Sequence, residues 1–214
     1  MSAIFSQHFV PSKGLQKELI KLMEVAGFSD HQSNNMTSSP APNLSEADVL
    51  VLKAILTAGL YDNVGRVIPK TQSPADPSDA PGTEHSCVVE TVRGTACIHP
   101  ASVTRNLSRP CLLLYQEKVK LSRVFLSNCS VVSPISIMLF GGDISVHHRQ
   151  RLVGVDGRIY FRAPARVGVI FKELRSSVDT ALERKLAEPQ LSLEGDPTVR
   201  IILELIRTEN VSGI

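Results

Sequence analysis

The chain has 214 residues, 43% of them hydrophobic and 21% charged, which is enough apolar material for the core of one domain with an appendage or of two small ones. Its formal net charge is only +2, so a nucleic-acid role cannot rest on bulk charge and needs a local basic face. The longest apolar runs, at residues 49–52 and 111–114, fall far short of the roughly 20 residues of a membrane-spanning helix, and MSAIFSQHFVPSKG lacks the marks of a secretion signal. An intracellular protein without membrane contact is expected.

A first helix is predicted over about residues 12–26, where Leu15, Leu19, Leu22, Met23 and Ala26 fall on one stripe opposed by Lys17, Lys21 and Glu24. Gly27 is placed to end it. Residues 29–43, rich in Ser, Asn, Pro and Thr, describe a flexible connection. Ser45 and Asp48 have the spacing of a capping box, and the following VLVLKAILTAGL is apolar on nearly every side, which predicts a buried helix ended by Gly59. Near residues 60–63 the pattern changes from helical to short alternating strands, and a domain boundary is expected there.

A first strand is expected over residues 63–69, and the Pro-, Ser- and Asp-rich residues 71–83 form a second loop. HSCVVETV and TACIHP then read as a hairpin across Arg93-Gly94. In CLLLYQ and KVKLSRVFL, Val119 and Leu121 alternate with Lys118, Lys120 and Ser122. That alternation predicts two lysines on a face turned away from the core, with a bulge near Arg123 holding a third cation beside them. RLVGV and RIYFRA flank Asp156-Gly157, a strong hairpin signal. Five or more short strands within about a hundred residues point to a small barrel or sandwich.

Helices close the chain. Pro164 opens one that carries Val167, Ile170, Leu174, Val178, Ala181 and Leu182 on a stripe until Pro189, and Asp196 caps another that starts at Pro197.

No GxxxxGK[ST] stretch and no DExH segment occurs in the 214 residues, which excludes ATP hydrolysis by this chain alone. Catalytic residues, metal ligands and cofactors are assigned nowhere: His147 and His148 are adjacent, so a strand would send them to opposite faces, and no GxSxG elbow surrounds a serine. Cys87, Cys97, Cys111 and Cys129 form no CxxC pair and read as buried free thiols. The chemistry the strand region supports is binding of a single-stranded polyanion, with basic and hydroxyl groups on phosphates and an aromatic under a base. The candidates are Arg93, Thr95, His99, Ser102, Lys118, Lys120 and Arg123, with Tyr115 as the stacking ring. The competing reading is that the lysines solvate an exposed strand and Tyr115 fills the core.

Five blocks, LKAILTAGLYDNVGRVI, GTACIHPASV, LLLYQEKVKLSRVFL, VVSPISIMLFGGDISV and VDGRIYF, follow in an order that resembles the carboxy-terminal regions of DEAH-box RNA helicases. The resemblance spans roughly residues 45–190 and implies an α+β architecture. Residues 1–60 would close a helical helicase-associated (ratchet) domain with its loop at 29–43, residues 61–163 would be a small OB-fold barrel, and 164–214 a helical extension. In HPASV, where the family reads HPSSV, His99 and Ser102 keep their types and Ala101 replaces a serine; Tyr115, Lys118 and Arg123 also keep theirs. Arg158 stands where the family carries Trp.

The block VGVIFKELRSSVDTALERKL and the tail KLAEPQLSLEGDPTVRIILELIRTEN are most similar to the member of this family that acts with the small ribosomal subunit in translation initiation. The resemblance therefore implies a non-catalytic, cytoplasmic module of an RNA helicase, either a fragment or a short form. Its partners would be single-stranded RNA, the motor domains and the small ribosomal subunit, with ATP and Mg²⁺ required only by the full-length parent. The alternative is a protein-docking module with negligible RNA affinity, which the apolar first helices favour.

Overall fold

The computed structural model of the protein describes residues 13–28, 44–68, 87–107, 109–121 and 123–209. The loops predicted at 29–43 and 71–83 lie outside the described residues. The described chain divides into two compact units, one built from residues 44–176 and 201–209, the other from 13–28 and 177–200.

The larger unit begins with helix α2 (Glu46–Gly59), the second in the chain after α1 (Lys13–Val25). Its start is the predicted capping box: the Ser45 hydroxyl accepts from Asp48 N at 3.2 Å, and Ser45 N donates back to the Asp48 carboxylate at 3.3 Å. The Ser45 hydroxyl also donates to the Asp48 carboxylate at 2.7 Å, and that bond, ahead of the one from Ser45 N, holds the Asp48 carboxyl below the usual carboxylate range. The expectation that this helix is buried needs correction. Only Ala54 and Thr57 are buried, against helix α3 (Pro134–Phe140), while Leu52, Ile55 and Leu56 stay exposed. Small residues at the contact allow close helix approach, so the bulky apolar residues are left on the outer sides.

Seven strands follow: β1 (Val64–Ile68), β2 (Val88–Thr91), β3 (Gly94–Ile98), β4 (Leu112–Leu114), β5 (Glu117–Lys120), β6 (Val124–Ser127) and β7 (Ser130–Val132). They pair in the order β5-β6-β3-β2-β1-β4-β7, antiparallel except for β3 with β6. β4 and β5 stand five places apart in that order, about 24 Å in a flat sheet, yet only Tyr115 and Gln116 join them. Three Cα steps reach roughly 11 Å, so the sheet must curl into a barrel. Gln116 N donating to Ser127 O at 3.3 Å marks the junction. The interior is one cluster that includes Val67, Val89, Ile98, Leu113 and Leu126.

A second, antiparallel sheet is formed by β8 (Ile144–His147), β9 (Leu152–Val155) and β10 (Ile159–Arg162), with β9 central. The hairpin signal holds: Asp156 and Gly157 have φ of 51° and 64°, and Arg158 N donates to Val155 O at 3.1 Å, a type I′ turn. Val146 and Val153, on one face, pack under α4 (Ala165–Ala187), where a Cβ added to Gly168 would come within 2.7 Å of Val146 and 3.0 Å of Val153. That approach rotates the buried stripe of α4 from the expected one: Gly168 and Phe171 are buried, whereas Ile170 and Leu182 are exposed.

In the smaller unit, Gly27 adopts φ +85° and ends α1 as expected, with Phe28 N donating to Met23 O. Gln190 donates to Gly27 O at 2.6 Å, and the Lys185 ammonium lies 5.9 Å from the Phe28 ring centre while donating to Pro189 O and Leu191 O. Leu19, Leu22 and Met23 of the predicted apolar stripe are more than half exposed. Asp196 caps α5 (Pro197–Arg207) through Thr198 N at 2.8 Å, and that bond, ahead of Arg184, lowers its carboxyl pKa. Among the described residues no helix is long and apolar enough to cross a membrane.

Candidate nucleic-acid interface

Registers fix which side chains of the barrel face inward. Lys118 lies opposite Leu126, and Leu126 opposite Ile98, both fully buried, so Lys118 and Lys120 are on the inward side of β5 and Val119 on the outward side. This corrects the expected orientation: the two lysines do share a face, but it is the face of the barrel interior. β5 is an edge strand at the barrel rim, and a long lysine stem can run over apolar surface and bring its charge out at the end. The Lys118 ammonium accordingly donates to Thr91 Oγ1 at 3.0 Å and to Arg93 O at 3.2 Å. The Thr91 hydroxyl in turn donates to Gly94 O at 2.6 Å, so the β2–β3 turn and β5 are tied by one chain of hydrogen bonds. Arg93 and Lys120 are exposed beside it, and Arg123 lies in the tight β5–β6 turn closed by Leu121 N to Arg123 O.

On the outward side, β3 and β6 present Thr95, which is exposed, and Phe125, which is half-buried opposite Cys97. The His99 ring meets Phe125 edge to face at 5.8 Å between centres. His99 Nδ1 accepts from Ala101 N at 3.2 Å, which places the proton of the neutral ring on Nε2, the side able to donate to a ligand. The Ser102 hydroxyl is engaged with Thr104 Oγ1 at 2.8 Å. Phe125 was not among the sequence candidates, because it lies in the apolar run Val124–Leu126, where alternation does not mark the outward side.

Tyr115 does not reach the surface. It is 6% exposed and belongs to the interior cluster, so its ring is core and offers no face to a base. The structure thus gathers Arg93, Lys118 and Lys120 at the rim and Thr95 and His99 on the outer face, and withdraws Tyr115 from the set.

Arg158 stands over the Tyr61 ring with 5.3 Å to its centre, a cation–π contact. Among the described residues the enclosed Tyr61 hydroxyl has no partner in hydrogen-bonding geometry, and burial pushes its pKa up. Nearby, Arg175 donates to the carbonyls of Gly141 and Gly142, and the Asp156 carboxylate accepts from Asp143 N at 2.7 Å in the space a Gly142 side chain would need. These groups brace the hairpin and hold no arrangement suited to proton or group transfer.

No disulfide joins any of the four cysteines; Cys87 and Cys129 are buried, Cys97 and Cys111 half-buried. Burial pushes the Cys129 thiol up to about 11. Among the described residues no group of three or more His, Cys, Asp or Glu gathers around a metal-sized space.

Comparison with known proteins bears on the fold. The family model described as an oligonucleotide/oligosaccharide-binding (OB)-fold matches residues 52–144, and that described as the C-terminal domain in RNA helicases matches residues 151–208. The chain is 46% identical over 198 residues to the ATP-dependent RNA helicase DHX29 of Homo sapiens, covering 92% of this chain and 14% of that protein. It is 48% identical over 197 residues to ATP-dependent RNA helicase dhx29 of Xenopus laevis, with 91% and 14% covered. With the ATP-dependent DNA/RNA helicase DHX36 of Homo sapiens it shares 29% over 191 residues, covering 83% of this chain and 18% of that protein. The chain therefore spans about a seventh of the length of the first two relatives.

Proposed function

This chain belongs to the family of RNA-helicase carboxy-terminal regions that carry an OB-fold, and from that premise we propose that it is a non-catalytic module that holds single-stranded RNA for a DExH-box ATP-dependent RNA helicase. The observation that carries the reading is the rim contact, in which the Lys118 ammonium on Arg93 O draws the β2–β3 turn against β5. Arg93 of the β2–β3 turn and Lys118 and Lys120 of β5 then lie together at the rim, and the outer face of the paired strands β3 and β6 bears Thr95, His99 and Phe125. Such a groove suits a phosphate backbone with unstacked bases beside it. Hydrolysis of ATP, with its Mg²⁺, belongs in this account to the motor of a parent helicase.

The parent's setting is cytoplasmic translation initiation on the small ribosomal subunit. Its support is the similarity of the segments VGVIFKELRSSVDTALERKL and KLAEPQLSLEGDPTVRIILELIRTEN to that member of the family.

Fluorescence anisotropy with a labelled twelve-nucleotide oligouridine across a salt series tests the RNA reading. Each phosphate contact on a single strand contributes about 0.7 to the slope of log affinity against log salt, so Lys118→Ala with Lys120→Ala should lower the slope by about 1.4. Unchanged affinity and slope, with the circular dichroism spectrum kept, would place the RNA elsewhere or nowhere.

A second reading, docking onto helicase motor domains or the ribosome, draws on the exposed Leu52, Ile55 and Leu56 of α2. Ile55→Glu separates it from the first. Docking requires this change to abolish association with a relative's motor region while leaving oligouridine binding intact.

A further inference from the structure

The lysine rim leaves unexplained the most basic stretch of the chain. Between Ile144 and Arg166 there are five arginines, Arg149, Arg151, Arg158, Arg162 and Arg166, against one carboxylate, Asp156, in a protein whose total charge is +2. Asp156 is already taken by the backbone of Asp143. Arg149, Arg151 and Arg162 are exposed, and among the described residues none of the three has an ion pair or side-chain hydrogen bond.

The registers of the three-stranded sheet show where this charge lies. Ser145, Gly154 and Tyr160 form one cross-strand row, and His147, Leu152 and Arg162 the next row on the same face, while the intervening row of Val146, Val153 and Phe161 points to the opposite, packed side. Because Gly154 has no side chain, the Tyr160 ring lies across it; an added Cβ would come within 3.0 Å of that ring. The ring thereby reaches the His147 ring diagonally at 5.9 Å between centres, and the Tyr160 hydroxyl donates to Gly157 O at 2.9 Å. Half of Tyr160 remains exposed. The β8–β9 turn, which carries Arg149 and Arg151, joins the row at His147 and Leu152, and Ala163 N donates to Arg151 O beside Arg162.

We infer that the outer face of the β8–β9–β10 sheet is a second binding surface for unpaired RNA, in which Tyr160 stacks a base and Arg149, Arg151 and Arg162 take the flanking phosphates. A half-exposed ring packed beside a glycine and held by its hydroxyl on Gly157 O offers an aromatic surface already ordered. Uncommitted guanidinium groups beside it provide bidentate phosphate donors. An acidic protein segment would use the arginines but has no need of the ring; duplex nucleic acid keeps its bases stacked inside and cannot reach it. This surface lies on a different sheet from the barrel rim and goes beyond the rim reading.

The test uses the intact chain and the same labelled oligouridine. Tyr160→Ala should weaken binding at least about 5-fold, Tyr160→Phe should restore it, and Arg149→Ala with Arg151→Ala should lower the salt slope by about 1.4. A blunt twelve-base-pair RNA duplex should show no dependence on Tyr160. The inference is overturned if Tyr160→Ala and the double arginine variant bind as the parent does, with melting temperatures unchanged. It is also overturned if duplex or polyglutamate competes as well as the single strand, because the face would then read charge alone. Loss of binding in the Lys118 and Lys120 variants with none in these would leave the rim reading standing and remove this one.

Discussion

Lys118 at the barrel rim and Arg149 beside the three-stranded sheet are both cations near a strand end, but they stand in opposite states. The Lys118 ammonium is tied to Thr91 and Arg93 and takes part in holding the barrel together. Arg149 is fully outside, with no partner among the described residues. The barrel invests its polar groups in closing a sheet whose β4 and β5 must meet, whereas the small sheet packs one apolar face under α4 and leaves the other unspent. Structure and the proposed binding are therefore mixed at the rim and separable on the sheet.

The largest effect that sharpens this contrast is on stability. Leu113, fully buried where the barrel closes, should cost about 2 to 5 kcal/mol when changed to Ala, while Arg149→Ala on the open face should stay within about 0.5 kcal/mol by urea unfolding. Equal losses would break the comparison. Next comes Gly142→Ala, which puts a methyl group where the Asp156 carboxylate sits; displacing it from Asp143 N should cost about 1 to 3 kcal/mol. A smaller loss, about 1 kcal/mol, is expected for Lys118→Met, because Thr91 Oγ1 and Arg93 O lose their donor.

The smallest expected effect is on the alkaline side. The Cys129 thiol in the barrel is held protonated by burial, with a folded pKa of about 11 above its unfolded value. A raised folded pKa means that its contribution is present below the unfolded thiol range and is lost as pH rises through about 11. Cys129→Ala should flatten the fall in stability between pH 9 and 11. An identical alkaline limb in parent and variant would assign that fall to other groups.

Local signals in the sequence survived the comparison with structure where they have a local cause. The Asp156-Gly157 turn, the Ser45 and Asp48 capping box and the Asp196 cap are each decided by a few adjacent residues, and each formed as read. Facing was harder. Alternation says that Lys118 and Lys120 share a side of β5, but with exposed Val119 and Leu121 between and after them it does not say which side is the interior. Tyr115 follows a strand buried on both faces, Leu112–Leu114, where alternation carries no information at all. The uniformly apolar α2 reported hydrophobicity but not the partner, and only Ala54 and Thr57 found one in the described chain. The Tyr160 face became visible only through the cross-strand registers, since it assembles from Ser145, Gly154 and Tyr160 on three strands.

The most direct measurement is the salt dependence of oligouridine binding for four proteins: the parent chain, Lys118→Ala with Lys120→Ala, Arg149→Ala with Arg151→Ala, and all four changes together. Two separate surfaces on one strand-binding module predict that each pair lowers the slope by about 1.4 and that the quadruple variant lowers it by about 2.8. A parent chain that binds oligouridine with no salt dependence, or a quadruple variant whose slope equals the parent's, would contradict the account.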